Sequence, residues 1–177
     1  KSLSEGSLPA SQKAATITPI LKKAGLDADD AKSYRPISNL TFISNVIERI
    51  VADQIKAFLS ESGLMPPLQS AYRPGHSTET ATLKVLSDIL DAADSRKTTL
   101  LSLLDMSAAF DTVDFEILLR RLETSYGLSG TVLKWLTSFV TGRTQAVVFD
   151  GVTSSPVKLI CGVPQGSVLG PLLFVLY

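Results

Sequence analysis

The chain has 177 residues, enough to bury one moderate core. Lys and Arg together number 17, as do Asp and Glu, so the sequence lacks the strong basic footprint common in proteins that bind nucleic acids. The single cysteine, Cys161, has no disulfide partner and no metal-ligand spacing, which favours a reduced compartment. Because no long apolar run or signal-like N-terminus occurs, we expect an intracellular protein, in the nucleus or cytoplasm, without a membrane partner.

The N-terminal third predicts a lead-in, a strand and a long helix. Residues 1–15, rich in Ser in their first 13 positions, are expected to be frayed, and residues 17–21 to form a strand. A helix is predicted from about Thr41 to Ser60, with Gly63 as its left-handed stop. Its expected apolar face comprises Ile43, Val46, Ile47, Ile50, Val51, Ile55, Phe58 and Leu59, and its expected solvent face comprises Glu48, Arg49, Asp53 and Lys56.

Three further helices and three strands are predicted beyond this point. Ser77 is expected to cap a helix that ends near Asp94 and buries Leu83, Leu86, Ile89 and Leu90. A strand is expected over 98–104, a helix from after Asp114 to Gly127, and another ending at Gly142. Their expected core positions are Ile117, Leu118 and Leu122 in the first of these helices, and Val132, Leu133, Leu136, Phe139 and Val140 in the second. Residues 145–149 and 157–160 flank Asp150-Gly151, a strong hairpin signal, although Pro156 should delay the second strand or restrict it to an edge.

The run SLLDMSAAFDTVD, from Ser102 to Asp114, places Asp105 where an apolar segment ends. A carboxylate at the end of a buried strand is a common rigid metal ligand, although a solvent-facing turn aspartate is the alternative. Asp114 is expected to cap the following helix, and Asp111 to make an Asx-type bond to the backbone. Phe110 could equally be an ordinary core residue.

The second notable run, CGVPQGSVLGPLLF, is a Gly- and Pro-rich turn that leads into an apolar helix. Gln165 offers both a donor and an acceptor there, and Ser167 and Pro171 are suited to a helix start. The run lacks the Gly-Lys-Ser/Thr ending of a P-loop. The apolar residues 172–177 are expected to need a cover if they are exposed.

Taken in order, six runs resemble the reverse transcriptase domain of non-LTR (LINE-type) retrotransposons, particularly the jockey-like branch. They are TITPILKK (16–23), SYRPISNL (33–40), QSAYRPGHSTETA (69–81), LLDMSAAFDTVD (103–114), WLTSFVTGRTQAV (135–147) and GVPQGSVLGPLLFVLY (162–177). Phe115 stands where the family usually has His. The resemblance implies that an aromatic-x-Asp-Asp motif should follow soon after Tyr177, so activity of this segment alone is not expected.

What the resemblance implies is RNA-templated addition of deoxynucleotides to a primer, with two Mg²⁺ ions and with Mn²⁺ as a compatible substitute. Asp105 would bind the metals together with the backbone carbonyl of Met106, Phe110 would exclude a 2′ hydroxyl, and Gln165 would contact the nucleotide near its sugar. Positive charge for the triphosphate would come from Arg35, with Lys22 and Lys23 as weaker candidates. Arg73 and His76 are expected either to contact template phosphates or to brace their loop.

The fold class expected is therefore α+β, as the fingers and part of the palm of a right-hand polymerase. Residues 16–97 would form a fingers-like segment, and residues 98–177 a partial palm with a fingers hairpin at about 144–160. The expected partners are an RNA template, a DNA primer, deoxynucleoside triphosphates and the remainder of the polymerase chain. Two alternatives stay open: a catalytically silent nucleic-acid-binding remnant of a mobile element, and a helical protein-interaction module.

Overall fold

The computed structural model describes residues 1–106 and 108–177, so that Ser107, within the Ser102 to Asp114 run, lies outside the described residues. Six α-helices are present in this part of the chain: α1 (Ser2–Glu5), α2 (Phe42–Glu61), α3 (Thr78–Asp94), α4 (Phe115–Thr124), α5 (Gly130–Val140) and α6 (Gly170–Leu176). The strands are β1 (Ala14–Leu21), β2 (Tyr34–Asn39), β3 (Thr144–Phe149), β4 (Val152–Thr153) and β5 (Val157–Lys158). Mixed helices and sheet agree with the α+β class predicted from the sequence.

One five-stranded sheet runs in the order β2-β1-β3-β4, with β5 also paired to β3. β1 and β2 are antiparallel, whereas β1 and β3 are parallel, with Ala14 opposite Thr144 and Ile17 opposite Val147. Asp150, at φ 47°, and Gly151, at φ 76°, form the turn between β3 and β4. The predicted hairpin turn is confirmed, and β5 begins at Val157, after Pro156, as expected. However, β5 ends at Lys158 rather than at residue 160, and the short strand β4 directly after the turn was not predicted.

The hydrophobic core lies between four helices. It is built mainly from α2 (Val51, Ala52, Ile55, Leu59), α4 (Leu118, Leu122), α5 (Trp135, Leu136, Phe139, Val140) and α6 (Leu172, Leu173, Leu176). Asp114 caps α4 by accepting a hydrogen bond from the Ile117 N–H at 2.9 Å, and Ser77 caps α3, so both cap predictions are confirmed. Ile117 and Val132, by contrast, are exposed rather than in the core.

The N-terminal lead-in is packed against the core, contrary to the expectation that residues 1–15 are frayed. Leu8 is buried in the core cluster, and the Trp135 indole N–H donates to the Ser2 hydroxyl at 3.1 Å. β1 already begins at Ala14. An apolar residue and a hydroxyl in this polar segment therefore anchor it to α5.

The orientation predicted for α2 is wrong for four of its apolar residues and for one charged residue. The helix begins close to the predicted position, with Thr41 as its cap, and Gly63 adopts φ 63°, as expected for its stop. However, Ile43, Val46, Ile50 and Phe58 are exposed, and Glu48 is completely buried. The apolar residues of α2 cover more than one face, and hydrogen-bond donors near α6 select the face that carries Glu48.

Neither α3 nor residues 98–104 is buried as the sequence suggested. Leu83, Leu86 and Leu90 on α3 are exposed, and none of its residues is buried. Residues 98–104 form no strand, and Leu104 is 93% exposed. A strand needs a neighbour to pair its backbone groups, and none of the strands formed by the described residues pairs with this segment.

The C-terminal apolar run is largely buried, so the cover that residues 172–177 would need if they were exposed comes from the core of this chain. It forms α6, whose residues Leu172, Leu173 and Leu176 enter the core. Pro171 lies in the first turn, where its missing N–H does no harm, and the Gly170 N–H donates to the Ser167 hydroxyl at 2.7 Å. None of the helices in the described ranges is long and apolar enough to cross a membrane.

Candidate active site

Two loops that are about 50 residues apart in the chain meet through backbone hydrogen bonds. The Gly162 N–H donates to the Val113 carbonyl at 2.8 Å, and the Val163 N–H donates to the Phe110 carbonyl at 2.8 Å. A Cβ on Gly162 would lie 3.0 Å from the Asp111 Cα, and the residue has φ 85°. Only glycine fits this junction without strain, because it combines a close backbone approach with a left-handed conformation.

The two loops are also joined through side chains. Gln165 Nε2 lies 3.1 Å from each oxygen of the Asp111 carboxylate. The Asp111 carboxylate therefore bonds across the junction, and the Asx-type backbone bond predicted for it is not the interaction found. The Cys161 thiol donates to the Asp111 carbonyl at 3.4 Å, which adds a further contact between the same two loops.

β2 holds the other side of the Gln165 loop. The Ser38 N–H donates to the Gln165 carbonyl at 2.7 Å, and a Cβ on Gly166 would lie 2.9 Å from the Ser38 carbonyl oxygen. Arg35 lies three residues earlier on the same strand and is exposed. The sheet thus brings the strand that carries Arg35 to the loop that carries Gln165.

Phe110 and Gln165 line one cavity of about 230 Å³. The Phe110 ring is partly buried and packs against Phe174, with ring centroids 5.1 Å apart. Tyr72, which was not singled out from the sequence, also lines this cavity and has φ 58°. A left-handed conformation at a bulky non-glycine residue is uncommon, and such conformations concentrate at functional sites.

A second cavity, of about 380 Å³, is also lined by Gln165. Asp111 and Lys158 contribute its charged side chains, and Pro36, Ser38 and Gln145 are among the sheet residues that line it. Gln165 therefore stands in the wall that both cavities share.

Asp105 is exposed and follows a coil, so the expectation that it ends a buried strand is wrong. Magnesium prefers hard oxygen ligands, which the Asp105 carboxylate and the adjacent Met106 carbonyl can supply. Within residues 1–106 and 108–177, no three His, Cys, Asp or Glu side chains converge on one point. These donors fit magnesium in kind.

Two of the remaining basic candidates, Lys22 and Arg73, make local contacts. Lys22 Nζ donates to the Lys32 carbonyl at 2.7 Å, and Lys23 is exposed. Arg73 Nη1 donates to the carbonyls of Pro66 and Pro67 at 3.3 and 3.2 Å.

His76, the last of the predicted contacts to a template, also bonds within its own loop. Its Nδ1 lies 3.0 Å from the Pro74 carbonyl. Of the two roles considered for Arg73 and His76, these bonds match bracing of the loop.

Glu48 supports the segment that follows Gln165, although the sequence analysis placed it on the solvent face of α2. Its carboxylate accepts hydrogen bonds from the backbone N–H groups of Val168 and Leu169 at 2.9 and 3.2 Å, and from the Ser44 hydroxyl at 3.0 Å. Burial raises the pKa of Glu48, while these hydrogen bonds and the positive charge of Arg143 act in the opposite direction. Burial likewise lowers the pKa of Arg143, and Glu48 opposes that shift.

Comparison with known proteins agrees with the order of motifs. The family model for reverse transcriptase (RNA-dependent DNA polymerase) matches residues 20–177. A probable RNA-directed DNA polymerase from transposon X-element of Drosophila melanogaster is 38% identical over 161 residues, which cover 91% of this chain and 18% of that relative. The RNA-directed DNA polymerase from mobile element jockey of Drosophila funebris is 33% identical over 174 residues, which cover 97% of this chain and 18% of that relative.

The chain spans less than a fifth of the length of these curated relatives. The family match nevertheless covers most of the chain, including both loops of the junction and β2. The chain belongs to the reverse transcriptase family, and its similar relatives are the polymerases of non-LTR retrotransposons such as jockey.

Proposed function

We propose that this chain is the part of an RNA-directed DNA polymerase that binds the incoming deoxynucleoside triphosphate. The observation that carries the proposal is the bonded junction between residues 110–113 and 162–165, which sets Phe110 and Gln165 on one cavity. Both residues are at positions where the family resemblance implies nucleotide contacts. In the complete polymerase the reaction adds deoxynucleotides to a primer 3′ hydroxyl on an RNA template and releases pyrophosphate.

Each candidate residue has a distinct proposed role. The Phe110 ring lies under the sugar and excludes a 2′ hydroxyl, because a ribonucleotide differs from a deoxyribonucleotide at that position. Gln165 contacts the sugar from the shared wall of the two cavities. Arg35 supplies positive charge to the triphosphate from β2, with Lys22 and Lys23 as further sources beyond the end of β1. Arg73 and His76 act on the template side, where the bonds within their loop fix its shape.

The Asp105 carboxylate and the Met106 carbonyl would hold Mg²⁺, with Mn²⁺ as an alternative. Such ions activate the attacking hydroxyl and neutralise charge on the triphosphate. Asp105 needs access to solvent and substrate for this role, and its exposure provides that access. In this proposal, residues 16–97 belong to the fingers, and residues 98–177 to part of the palm with a fingers hairpin at about 144–160.

The experiment uses a full polymerase chain that contains these residues, an RNA template, a DNA primer and Mg²⁺. We expect extension with deoxynucleotides and its loss in Asp105→Asn. Asp150→Asn is the matched control, because it removes the same charge at an exposed hairpin turn where asparagine tolerates the left-handed conformation. Near-normal turnover in Asp105→Asn would contradict the metal assignment, and an inactive parent chain would contradict the proposed function.

A further inference from the structure

The contact between Asp111 and Gln165 fixes more than the distance between two loops. Both oxygens of the Asp111 carboxylate lie 3.1 Å from the same amide nitrogen, Nε2 of Gln165. An ionised carboxylate only accepts hydrogen bonds, whereas a carboxamide has one end that donates and one end that accepts. Asp111 therefore requires the Gln165 amide to turn its nitrogen inward, which leaves Oε1 as the atom available to a ligand.

The backbone of Asp111 is itself held in place, so its carboxylate can fix the orientation of the Gln165 amide. Its N–H donates to the Ala108 carbonyl at 2.9 Å, and its own carbonyl accepts from the Cys161 thiol. The close approach of Gly162 to the Asp111 Cα leaves no room for the backbone to shift toward that loop. On the other side, Gln165 is fixed by the bond from the Ser38 N–H to its carbonyl.

We propose that Asp111 is a positioning residue that selects the orientation of the Gln165 carboxamide, so that position 165 presents a hydrogen-bond acceptor to the nucleotide. The inference rests on the proposed function and deepens it by giving the chemistry of one contact. An acceptor next to a sugar calls for a hydroxyl donor, which on a deoxynucleoside triphosphate is the 3′ hydroxyl. Asp111 would thus contribute to preference for nucleotides that carry this hydroxyl without touching the nucleotide.

The test measures kcat/KM for a deoxynucleoside triphosphate and for its 3′-deoxy analogue in the full polymerase chain. In Asp111→Asn the partner can donate as well as accept, so the Gln165 amide is free to turn over. We expect the preference for the 3′ hydroxyl to fall by up to roughly tenfold, the ratio associated with one neutral hydrogen bond between the amide oxygen and the hydroxyl. The fall should appear mainly in KM for the deoxynucleotide.

A second variant tests whether Asp111 orients the Gln165 side chain or only holds the two loops together. Gln165→Glu alone places two carboxylates in contact and should lower both Tm and activity. Combined with Asp111→Asn, the glutamate regains a donor partner and presents an acceptor in either orientation. We expect the double variant to recover the 3′ hydroxyl preference and Tm relative to the single variants, a non-additive result that marks direct coupling.

Asp114→Asn is the matched control. It removes one negative charge three residues away, and asparagine still caps α4. The proposal is overturned if Asp111→Asn keeps the parental preference, or if the double variant recovers Tm while the preference stays lost. An inactive parent chain would contradict the proposed function instead. In that case Tm still tests the coupling: if the Tm losses of the two single variants simply add in the double variant, the coupling is overturned.

Discussion

Glu48 Oε2 lies 2.9 Å from the backbone nitrogen of Val168, 120 residues further along the chain. The same oxygen accepts from the next N–H, so one buried carboxylate of α2 satisfies two donors where the Gln165 loop turns into α6. A backbone N–H buried without a partner is costly, which makes this carboxylate the link between the long helix and the loop.

Replacement of Glu48 by alanine should destabilise the fold strongly. The change leaves the Val168 and Leu169 N–H groups without their acceptor and the buried Arg143 without its nearby negative charge. We expect a loss of about 3 to 5 kcal/mol in the free energy of unfolding, measured by urea denaturation. Asp53→Ala, on the exposed side of α2, should change it by less than about 0.5 kcal/mol. A loss below about 1 kcal/mol for Glu48→Ala would show that the link is dispensable.

Stability should also depend on pH through Glu48. Burial is the largest influence on its pKa and raises it, so the folded chain binds this proton more tightly than the unfolded chain. The group therefore contributes stability below the pKa of an unfolded glutamate, near 4.3, and that contribution is lost as pH rises through the folded pKa. We expect the wild type, relative to Glu48→Gln, to lose stability on going from pH 4 to pH 7. A relative gain over this range would mean that the hydrogen bonds and Arg143 outweigh burial.

Selection against ribonucleotides should weaken when Phe110 is shortened to valine. The smaller side chain opens the cavity beside Gln165, so we expect the kcat/KM ratio of ribonucleotide to deoxynucleotide to rise about tenfold or more in the full polymerase chain. The loss of packing should cost about 1 to 3 kcal/mol in stability.

Phe174→Val is the control for this experiment. It removes the same contact between the two rings but alters a residue that does not line the Phe110 cavity. We expect it to lower Tm and leave the nucleotide ratio unchanged. Equal ratios in Phe110→Val and the wild type, together with a lowered Tm, would assign Phe110 to the core alone.

The 177-residue chain by itself should not extend a primer on an RNA template in the presence of Mg²⁺. Two-metal catalysis needs several hard ligands, and the described ranges bring together no set of three acidic, histidine or cysteine side chains. The measurement compares the purified chain with a full polymerase chain at equal concentration. Extension by the short chain that disappears in Asp105→Asn would show that Asp105 suffices with ligands from solvent and substrate.

Local signals in the sequence predicted helix caps and the hairpin turn better than they predicted strands and burial. Caps at Ser77 and Asp114 and the Asp150-Gly151 turn depend on neighbouring residues only, and all three were correct. The burial of Glu48 depends on donors 120 residues away, which no helical period can reveal.

In the candidate site, too, residues within motifs could be identified from the sequence, whereas contacts between distant segments could not. The motifs identified Phe110 and Gln165, which the structure places on one cavity. The role of Asp111 was missed because its partner lies 54 residues ahead, and the strand expected before Asp105 was wrong because pairing partners cannot be read from an apolar run. Tyr72 lay within a quoted motif, and its aromatic ring was the available signal.

The parallel pairing of β1 with β3 determines when the centre of the sheet can form during synthesis of the chain. Ala14 and Thr144 are partners, so the central pair of the sheet cannot form until some 130 residues have been added after β1. β1 and β2 can pair early because only residues 22–33 separate them. Until β3 is synthesised, however, the backbone groups on the other edge of β1 remain unpaired. Contacts of such long sequence separation slow folding and prolong exposure to aggregation. Translation speed between residues 40 and 144 therefore controls how long that open edge is available to other chains.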